Sequence, residues 1–441
     1  MLDYQFSQYA SSSILPSPVN IMMSEMASSF RPEMDINLGA GYVNERTIPR
    51  QIIKEALEEV ISNPSKYKHP FNYGGSKGTN NLRESILNFY LNKNIGTLTK
   101  SELSELEIII GTNGATSILE AISEILKKGI VITADPVYYI YGEYLQRKGF
   151  DLLTIPEDEH GIQTDLIREA IEELEERVKD ISFFYIVTVN NPTTTIISNE
   201  RKKEIVDIAT HLSKKLGRII PVFFDKAYEE IIHDQKVEKP ISGLRWNELA
   251  NVFEIGTLSK ILAPAFRIGY ILGKKCPFLD VLLQRNNDVG FSASVINQEM
   301  ASYILDHHIN EQLFRVNSEY AEKARKIEVV IHSLLGNEIE KYSGGKAGFY
   351  FYLTFKNTRT EPGSPFFNFL SRKTGIEALD GKENKKPLIV YLPGSYCVNP
   401  KGKLKEEGRR QLRLSYGFEE TEQVLKGIKF MADAIDYASR N

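Results

Sequence analysis

The sequence predicts an α/β fold, with a large domain built on a mostly parallel seven-stranded sheet covered by helices and a smaller α+β domain after it. Two observations predict this architecture. Between residues 105 and 275, short apolar runs alternate with amphipathic segments, whereas after residue 300 the apolar runs follow one long helical region. Runs that are apolar throughout indicate strands buried on both faces, as parallel strands are between two layers of helices.

Seven apolar runs are predicted to form the large sheet. They are LEIII (106–110), GIVIT (129–133), DLLTI (151–155), FFYIVTV (183–189), PVFF (221–224), VFEIG (252–256) and IGYILG (268–273). The segments between them have helical periodicity, as in 115–128, where Ile118, Ile122 and Ile125 share one face.

The segments outside this alternation are assigned to an arm and to the smaller domain. Residues 1–36 are rich in serine and lack periodicity, which predicts an irregular arm, and a helix is predicted to begin at Pro49. One long helical region is expected over about 297–336 and a last helix over about 421–438. Between these helices lie three predicted strands, GFYFYLTF, PLIVYL and QLRLSYGF.

These assignments predict a division of the chain into three parts. Residues 1–65 form the arm and part of the small domain, residues 66–325 the large domain, and residues 326–441 the small C-terminal domain. The charged segment GKENKKP (381–387) is interpreted as a solvated loop without a function of its own.

The composition excludes several classes of protein. The chain has 441 residues and a formal charge of −4, which argues against nucleic acid as a partner because such binding needs a basic face. Its two cysteines, Cys276 and Cys397, are far apart and belong to no Cys/His cluster, so neither a disulfide framework nor a metal site is expected. No signal peptide and no apolar stretch of about 20 residues is present, so we expect a cytoplasmic protein without a membrane partner.

Small or polar residues follow five of the predicted strands, and ligands of open α/β sheets bind beyond the carboxyl ends of the strands. After the run at 106–110, the backbone amides of Gly114, Ala115 and Thr116 begin a helix and favour an anion such as a phosphate. After the run at 129–133, Tyr138 is placed to lay its ring on a flat heteroaromatic ligand. Taken alone, each feature is more often an ordinary turn or a pocket wall.

The next two strands end in residues that can hold a polar ring. Asn191 follows the run at 183–189 and can donate a hydrogen bond to a ligand oxygen, although Asn-Pro is also a common turn. Asp225 ends the run at 221–224, where ionisation is costly without a cationic partner, although a helix N-cap is an alternative role. Tyr228 follows one turn later and can face the same ligand.

The fifth group, TLSKILAPAFRIGY, contains the candidate nucleophile Lys260. A lysine in an apolar pocket has a lowered pKa and can attack an aldehyde, whereas most lysines are simply solvated. Thr257, Ser259 and Arg267 surround it in sequence and offer two hydroxyls and a cation. The five groups form a specific combination, because each follows a predicted strand and they occur in a fixed order. They are a glycine turn, an aromatic residue, N-P-T, D-x-x-Y and S-K-x(6)-R.

With these motifs, the chain resembles the class I/II aminotransferases, which are pyridoxal-phosphate enzymes of fold type I, and in particular the branch of kynurenine and 2-aminoadipate aminotransferases. The likeness covers roughly residues 35–435 and includes NLGAGY (37–42), YGGSKGTNNLR (73–83), PGSY and LRLSYGF. It implies an enzyme that moves an amino group between an L-amino acid and a 2-oxo acid, with pyridoxal 5'-phosphate as the cofactor.

The resemblance also implies roles for residues at the cofactor. Lys260 would form the internal aldimine and then move the proton at the substrate Cα, and Asp225 would keep the pyridine nitrogen protonated. Asn191 and Tyr228 would bind the phenolic oxygen, and Tyr138 would stack on the ring. The phosphate would be bound by Gly114, Ala115, Thr116, Thr257, Ser259 and Arg267.

Two further implications concern the substrate and the partner subunit. Arg413, in QLRLSYGF, would bind the substrate α-carboxylate through its guanidinium fork, and Gly41 and Asn191 would line the substrate side. Tyr73 would reach the phosphate of a neighbouring subunit, which implies a homodimer with shared active sites.

The sequence departs from the family pattern in ways that affect the substrate more than the cofactor. Thr194 replaces the usual glycine after N-P-T, Thr257 stands where serine is commoner, and GGKAGFY has a lysine and an alanine where apolar residues are usual. A carbon–sulfur lyase or a cyclising synthase would use the same lysine, aspartate and arginine and stays an alternative. A non-catalytic regulator is a weaker one, because the residues before NLGAGY are neither basic nor clearly helical in sequence.

Overall fold

The structure is a computed structural model that describes residues 4–381 and 386–441. Residues 382–385 of the loop predicted at 381–387, and residues 1–3 of the predicted arm, lie outside the described residues. In the described part of the chain, no helix is both long enough and apolar enough to cross a membrane.

The strands and helices below are numbered along the chain. The strands are β1 (Ile36–Asn37), β2 (Leu106–Ile110), β3 (Ile130–Asp135), β4 (Asp151–Asp158), β5 (Gly161–Ile162), β6 (Ile181–Val187), β7 (Val222–Asp225), β8 (Val252–Thr257), β9 (Gly269–Lys274), β10 (Ile339–Gly344), β11 (Tyr350–Phe355), β12 (Ile389–Val390), β13 (Leu392–Pro393) and β14 (Gln411–Ser415). The α-helices are α1 (Gln8–Ser11), α2 (Pro18–Ser28), α3 (Arg50–Ser62), α4 (Asn80–Asn92), α5 (Lys100–Ser104), α6 (Gly114–Ile125), α7 (Tyr139–Lys148), α8 (Thr164–Glu173), α9 (Asn199–Leu216), α10 (Pro277–Asp288), α11 (Val295–His307), α12 (Ile309–Leu335), α13 (Pro365–Leu370), α14 (Glu377–Asp380), α15 (Lys405–Gly408) and α16 (Thr421–Ala438).

The large sheet has the strand order β2-β9-β8-β7-β6-β3-β4-β5. Strands β3, β4, β6, β7 and β8 pair in parallel, whereas β9 pairs antiparallel with β2 and β8. All seven predicted runs are strands of this sheet, so the mostly parallel fold is confirmed. The sheet has an eighth strand, the two-residue β5, which pairs antiparallel with β4 and is too short to produce a periodic signal.

Alternate side chains of the central strands enter opposite helical layers. On β7, Phe224 packs into one apolar cluster and Phe223 into the other, and on β6 the same holds for Phe184 and Tyr185. This double burial accounts for the unbroken apolar runs in the sequence. It also places Tyr185 and the terminal Asp225 in the same layer of the fold, since Val187 is paired in register with Asp225.

A smaller antiparallel sheet has the order β10-β11-β14-β13, and β1 pairs in parallel with β12. The three strands predicted in this region are present, although the run PLIVYL is divided between β12 and β13. Strand β10 was not predicted, because its side chains are exposed or half-buried and it contains no apolar run.

The long helical region is confirmed but divided, whereas the prediction of an irregular arm is wrong. The region 297–336 contains two helices, α11 and α12, which are separated at His308, where the backbone leaves the helical conformation (φ −127°, ψ −5°). Apolar residues continue through this break, so periodicity does not reveal it. The arm is not irregular throughout, because α1 and α2 lie within it. Helix α2 begins after the N-cap Ser17 and buries Val19, Met22 and Met26.

Candidate active site

The residues predicted from the five strand ends lie where the strands of the large sheet terminate. Tyr138 follows β3, Asn191 follows β6 and Asp225 ends β7, while Lys260 comes directly after β8. The turn between β2 and α6 contains Gly114 at the first position of that helix.

Lys260 is partly buried, and its Nζ donates a hydrogen bond to the carbonyl oxygen of Gly41 at 3.1 Å. The rings of Tyr228 and Phe349 lie 5.5 and 5.6 Å from the same nitrogen. Burial, reinforced by the positive charges of Arg413 and Arg267, lowers the pKa of Lys260 to about 8. About a tenth of the amine is then uncharged at pH 7, far more than for a lysine with the usual pKa, and the uncharged form is the nucleophile.

Asp225 is buried, with only 5% of its surface exposed. Its Oδ2 accepts a hydrogen bond from the Tyr185 hydroxyl at 2.8 Å, and its Oδ1 accepts one from the Ala227 backbone N–H at 3.0 Å. Burial raises the pKa of Asp225 despite these two donors. No ion pair of the described residues includes this carboxylate, so the site has room for a cationic partner supplied from outside the chain.

Arg267 and the start of α6 form a compact cradle. The Nε of Arg267 donates to Asn113 Oδ1 at 2.8 Å, and Gly114 N–H donates to the carbonyl oxygen of Arg267 at 2.7 Å. Gly114 has φ +70°, and a Cβ on it would lie 2.9 Å from Arg267 Nη2, so glycine is needed here. Ala115 packs against Gly269, the first residue of β9, and a Cβ on Gly269 would lie 2.1 Å from the Ala115 nitrogen.

The remaining predicted phosphate ligands are arranged around this cradle. Thr257 Oγ1 lies 2.9 Å from Ser259 Oγ and donates to the carbonyl oxygen of Ile268 at 2.9 Å. Thr116 is exposed in the first turn of α6. Hydroxyls, backbone N–H groups at a helix start and a guanidinium are the groups that bind phosphate.

Arg413 on β14 is the second buried cation, with 2% of its surface exposed. Its Nη1 donates to Asn191 Oδ1 at 2.8 Å and its Nη2 to the Gly39 carbonyl oxygen at 2.6 Å. Its Nε is buried without a hydrogen-bond partner. A cation that has only neutral acceptors, and one nitrogen without a hydrogen-bond partner, is poised for a carboxylate.

Tyr228 and Gly41 both lie next to Tyr350, a residue that was not predicted from the sequence to be functional. The hydroxyl oxygens of Tyr228 and Tyr350 are 2.8 Å apart, and a Cβ on Gly41 would lie 2.7 Å from the Tyr350 hydroxyl. The Tyr350 ring also lies 4.3 Å from the Arg413 guanidinium carbon. Tyr350 was not found because it stands inside the apolar run GFYFYLTF, where a tyrosine is indistinguishable from core.

Tyr185, Asn113 and Phe349 were missed for similar reasons. Tyr185 lies inside an apolar strand, and its contact with Asp225 spans two strands. Asn113 occupies the glycine turn, and its acceptor role towards Arg267 joins residues 154 positions apart. Contacts of this kind follow from strand order, which a local pattern does not contain.

For two of the predicted site residues, Tyr138 and Tyr73, the structure gives less direct support for the predicted role. Tyr138 is half-buried, and its ring centroid lies 6.0 Å from that of Tyr139. Tyr73 is 86% exposed and has its ring 6.0 Å from that of Phe291, so it is not part of the cluster around Lys260 within one chain.

These observations fit the group that the motifs implied. A buried carboxylate without a cationic partner suits a protonated pyridine nitrogen, a lysine with lowered pKa suits an aldehyde, and the cradle at Arg267 suits a phosphate. In residues 4–381 and 386–441, no group of three or more His, Cys, Asp or Glu side chains is placed to hold a metal ion. The fold and the site therefore define the class of pyridoxal-phosphate enzymes of fold type I.

Comparison with known proteins extends this conclusion. The family model of aminotransferase class I and II matches residues 33–369. The chain is 22% identical over 404 residues to aromatic-amino-acid aminotransferase 1 of Thermococcus litoralis, covering 91% of this chain and 88% of that protein. It is also 25% identical over 413 residues to the uncharacterized HTH-type transcriptional regulator YisV of Bacillus subtilis, covering 91% and 74%. The kynurenine aminotransferase of Pyrococcus horikoshii has a similar fold, with a TM-score of 0.80, 21% identity and coverage of 98% and 96%.

The chain belongs to the aminotransferase class I and II family. It is a pyridoxal-phosphate-dependent aminotransferase, and the predicted fold, enzyme class and cofactor are confirmed.

Proposed function

We propose that the protein transfers an amino group between an L-amino acid and a 2-oxo acid with Lys260 as the residue that binds the cofactor and moves the proton. The observation that supports this role best is the position of its amine, which lies among Asp225, Tyr228 and Arg413 and has a pKa lowered to about 8. An amine of this basicity can take a proton from the substrate Cα near neutral pH and return it on the other side of the reaction.

Pyridoxal phosphate, when bound, supplies an aldehyde and a ring that accepts electrons from the substrate Cα. Asp225 would hold the ring nitrogen protonated, and Tyr185 would keep that carboxylate oriented through its hydroxyl. Asn191 and Tyr228 would bind the phenolic oxygen, and Tyr138 would cover the ring. The cradle formed by Gly114, Ala115, Thr116, Thr257, Ser259 and Arg267 would bind the phosphate. Gly114 would contribute through its lack of a side chain, because its N–H already donates to the carbonyl oxygen of Arg267.

Arg413 would bind the α-carboxylate of the amino acid and of the oxo acid. Its unused Nε and its lack of a carboxylate partner among the described residues support this role. Gly41 would border the substrate, because the Tyr350 hydroxyl leaves no space for a side chain at that position. The α-carboxylate is common to all amino acids, so this site defines a substrate class and not one substrate.

We also propose a homodimer with shared active sites. The exposed rings of Tyr73 and Phe71, with 86% and 73% of their surfaces accessible, support an interface at this segment. In such a dimer Tyr73 would reach the phosphate of the partner subunit. The division at residues 65 and 325 stays a proposal, and the two separate sheets support it. A cytoplasmic location is likewise proposed, since both cysteines are free.

The test is the visible absorption of the purified protein after pyridoxal phosphate is supplied and single L-amino acids are added without any oxo acid. A yellow band that disappears lastingly with an amino acid and returns with a 2-oxo acid supports the proposal and identifies a substrate. A band that recovers by itself while ammonia or a thiol is released indicates a lyase. A Lys260→Ala variant that keeps the yellow band would refute the assignment of the lysine.

A further inference from the structure

Tyr350 contacts two parts of the proposed site, Tyr228 on the cofactor side and Arg413 on the substrate side. It projects from β11 of the smaller sheet and is fully buried. Its hydroxyl is 2.8 Å from that of Tyr228, the proposed ligand of the cofactor's phenolic oxygen. Its ring face lies 4.3 Å from the guanidinium carbon of Arg413, the proposed ligand of the substrate carboxylate.

The number of hydroxyl protons determines which of the two tyrosines donates the hydrogen bond between them. Each phenol has one O–H to donate. If the Tyr228 proton is used for the cofactor's phenolic oxygen, the proton between the two hydroxyls must come from Tyr350. Arg413, which lies against the Tyr350 ring, has only donors, so it does not compete for that proton.

We propose that Tyr350 is a positioning residue whose hydroxyl donates to Tyr228 and thereby strengthens the bond from Tyr228 to the phenolic oxygen, while its ring face holds the Arg413 guanidinium in place. This inference rests on the proposed function, in which Tyr228 and Arg413 have those two roles. It adds a residue from the smaller sheet that acts on the electronic state of the cofactor.

The proposed hydrogen bond from Tyr350 should change how tightly the Lys260 nitrogen holds its proton, and this can be measured. Hydrogen bonds in a chain polarise one another, so Tyr228 is a stronger donor when it accepts from Tyr350. A stronger donor withdraws charge from the phenolic oxygen, and that oxygen then holds the neighbouring proton on the Lys260 nitrogen less tightly. The pH midpoint of the visible absorption reports this proton. Arg413, Arg267 and Asp225 also face Lys260, and Tyr350→Phe keeps all three residues together with the ring that contacts Arg413.

The experiment compares two replacements of Tyr350 in the cofactor-loaded protein. Tyr350→Phe removes the hydroxyl and keeps the ring, so we expect the pH midpoint to rise by about 0.1 to 0.6 unit with the substrate KM unchanged. Tyr350→Leu also removes the ring from Arg413, so the KM should rise by about 2- to 30-fold as well. The matched control is Tyr352→Phe, because Tyr352 is a buried tyrosine of the same strand whose hydroxyl instead donates to Gln411 Oε1 at 2.9 Å.

Tyr228→Phe separates the failure of this inference from the failure of the proposed function. Loss of the direct donor should raise the midpoint by about 1 to 2 units. If Tyr228→Phe shifts the midpoint and Tyr350→Phe leaves it where the Tyr352→Phe control has it, the role of Tyr350 is refuted while that of Tyr228 stands. If Tyr228→Phe causes no shift, the role of Tyr228 in the proposed function is wrong, and the inference about Tyr350 falls with it. A Tyr350→Phe variant with a raised KM and an unshifted midpoint would place the hydroxyl on the substrate and overturn the inference.

Discussion

Lys260 should reduce the stability of the cofactor-free protein, because the fold keeps its amine in a place where a positive charge is unfavourable. Burial and the charges of Arg413 and Arg267 lower its pKa from 10.5 to about 8. One pKa unit corresponds to about 1.4 kcal/mol, so the lowered pKa sets an upper limit of about 3 kcal/mol on the cost near pH 7. Since the amine is only partly buried, solvent reduces this cost, and we expect about 1 to 3 kcal/mol.

The sign of the pH dependence follows from the two pKa values. Below pH 8 the amine is protonated in both the folded and the unfolded chain, so the folded state bears the full cost. Between pH 8 and 10.5 the folded chain has lost the proton and the unfolded chain still binds it, so stability rises with pH. Methionine has a similar shape and no charge, and Lys260→Met should therefore remove both the cost and this pH dependence.

The assay is urea unfolding of the cofactor-free protein at one fixed protein concentration, at about pH 7 and about pH 9.5. Lys260→Met should have a higher free energy of unfolding than the wild type at the lower pH, and this difference should fall by about half or more at the higher pH. Lys215→Met, at an exposed position of α9, is the control for the substitution itself. Equal free energies for the wild type and Lys260→Met at both pH values, or a difference that grows with pH, would refute the reasoning.

Three further predictions concern Asp225, Arg413 and Glu157. Asp225→Asn keeps an acceptor for the Tyr185 hydroxyl but has no negative charge, so turnover should fall by about 100-fold or more while cofactor binding, followed by its absorbance, persists; full turnover would contradict the role of the charge. Arg413→Lys keeps the charge and loses the fork, so kcat/KM should fall by about 10- to 100-fold, mostly through KM, and an unchanged KM would place the carboxylate elsewhere. Glu157 accepts hydrogen bonds from Asn190 Nδ2 and Thr195 Oγ1, both at 2.9 Å, and burial raises its pKa to about 7. The folded chain thus holds this proton longer than the unfolded chain, stability should fall as the pH rises from 4.5 to about 7, and Glu157→Gln should flatten that fall in urea unfolding curves.

The large sheet and the position of the candidate site residues at the strand ends were predictable because both have local signals. Each strand is an apolar run, and Gly114, Asn191, Asp225 and Lys260 each follow such a run directly or by a few residues. Since parallel strands place their carboxyl ends along one edge, order along the chain was enough to bring these residues together. Arg413 is different: its contact with Asn191 joins residues 222 positions apart, and only the family resemblance indicated it.

The features of the structure that the sequence did not predict were missed for physical reasons. Tyr350 and Tyr185 each combine a buried ring with a polar contact of the hydroxyl. Within an apolar run, the ring makes each residue indistinguishable from an ordinary core residue. Helix α2 buries Val19, Met22 and Met26, but the serines around them hide the periodicity. The exposed strand β10 is ordered by pairing with β11, so its own composition does not predict a strand.

In the proposed function, the two cations of the site, Arg413 and Lys260, would connect substrate binding to proton transfer. The charge of Arg413 is one of the causes that lower the pKa of Lys260, and the guanidinium has only the neutral oxygens of Asn191 and Gly39 as acceptors. A carboxylate bound at Arg413 offsets that charge, so it removes part of the effect that keeps Lys260 a weak base. The amine would therefore become more basic when an amino acid is bound and a proton has to be taken from Cα. A ligand without a carboxylate would not produce this change, even if its side chain fits the pocket. The site would therefore select ligands with a carboxylate at the proton-transfer step as well as at binding.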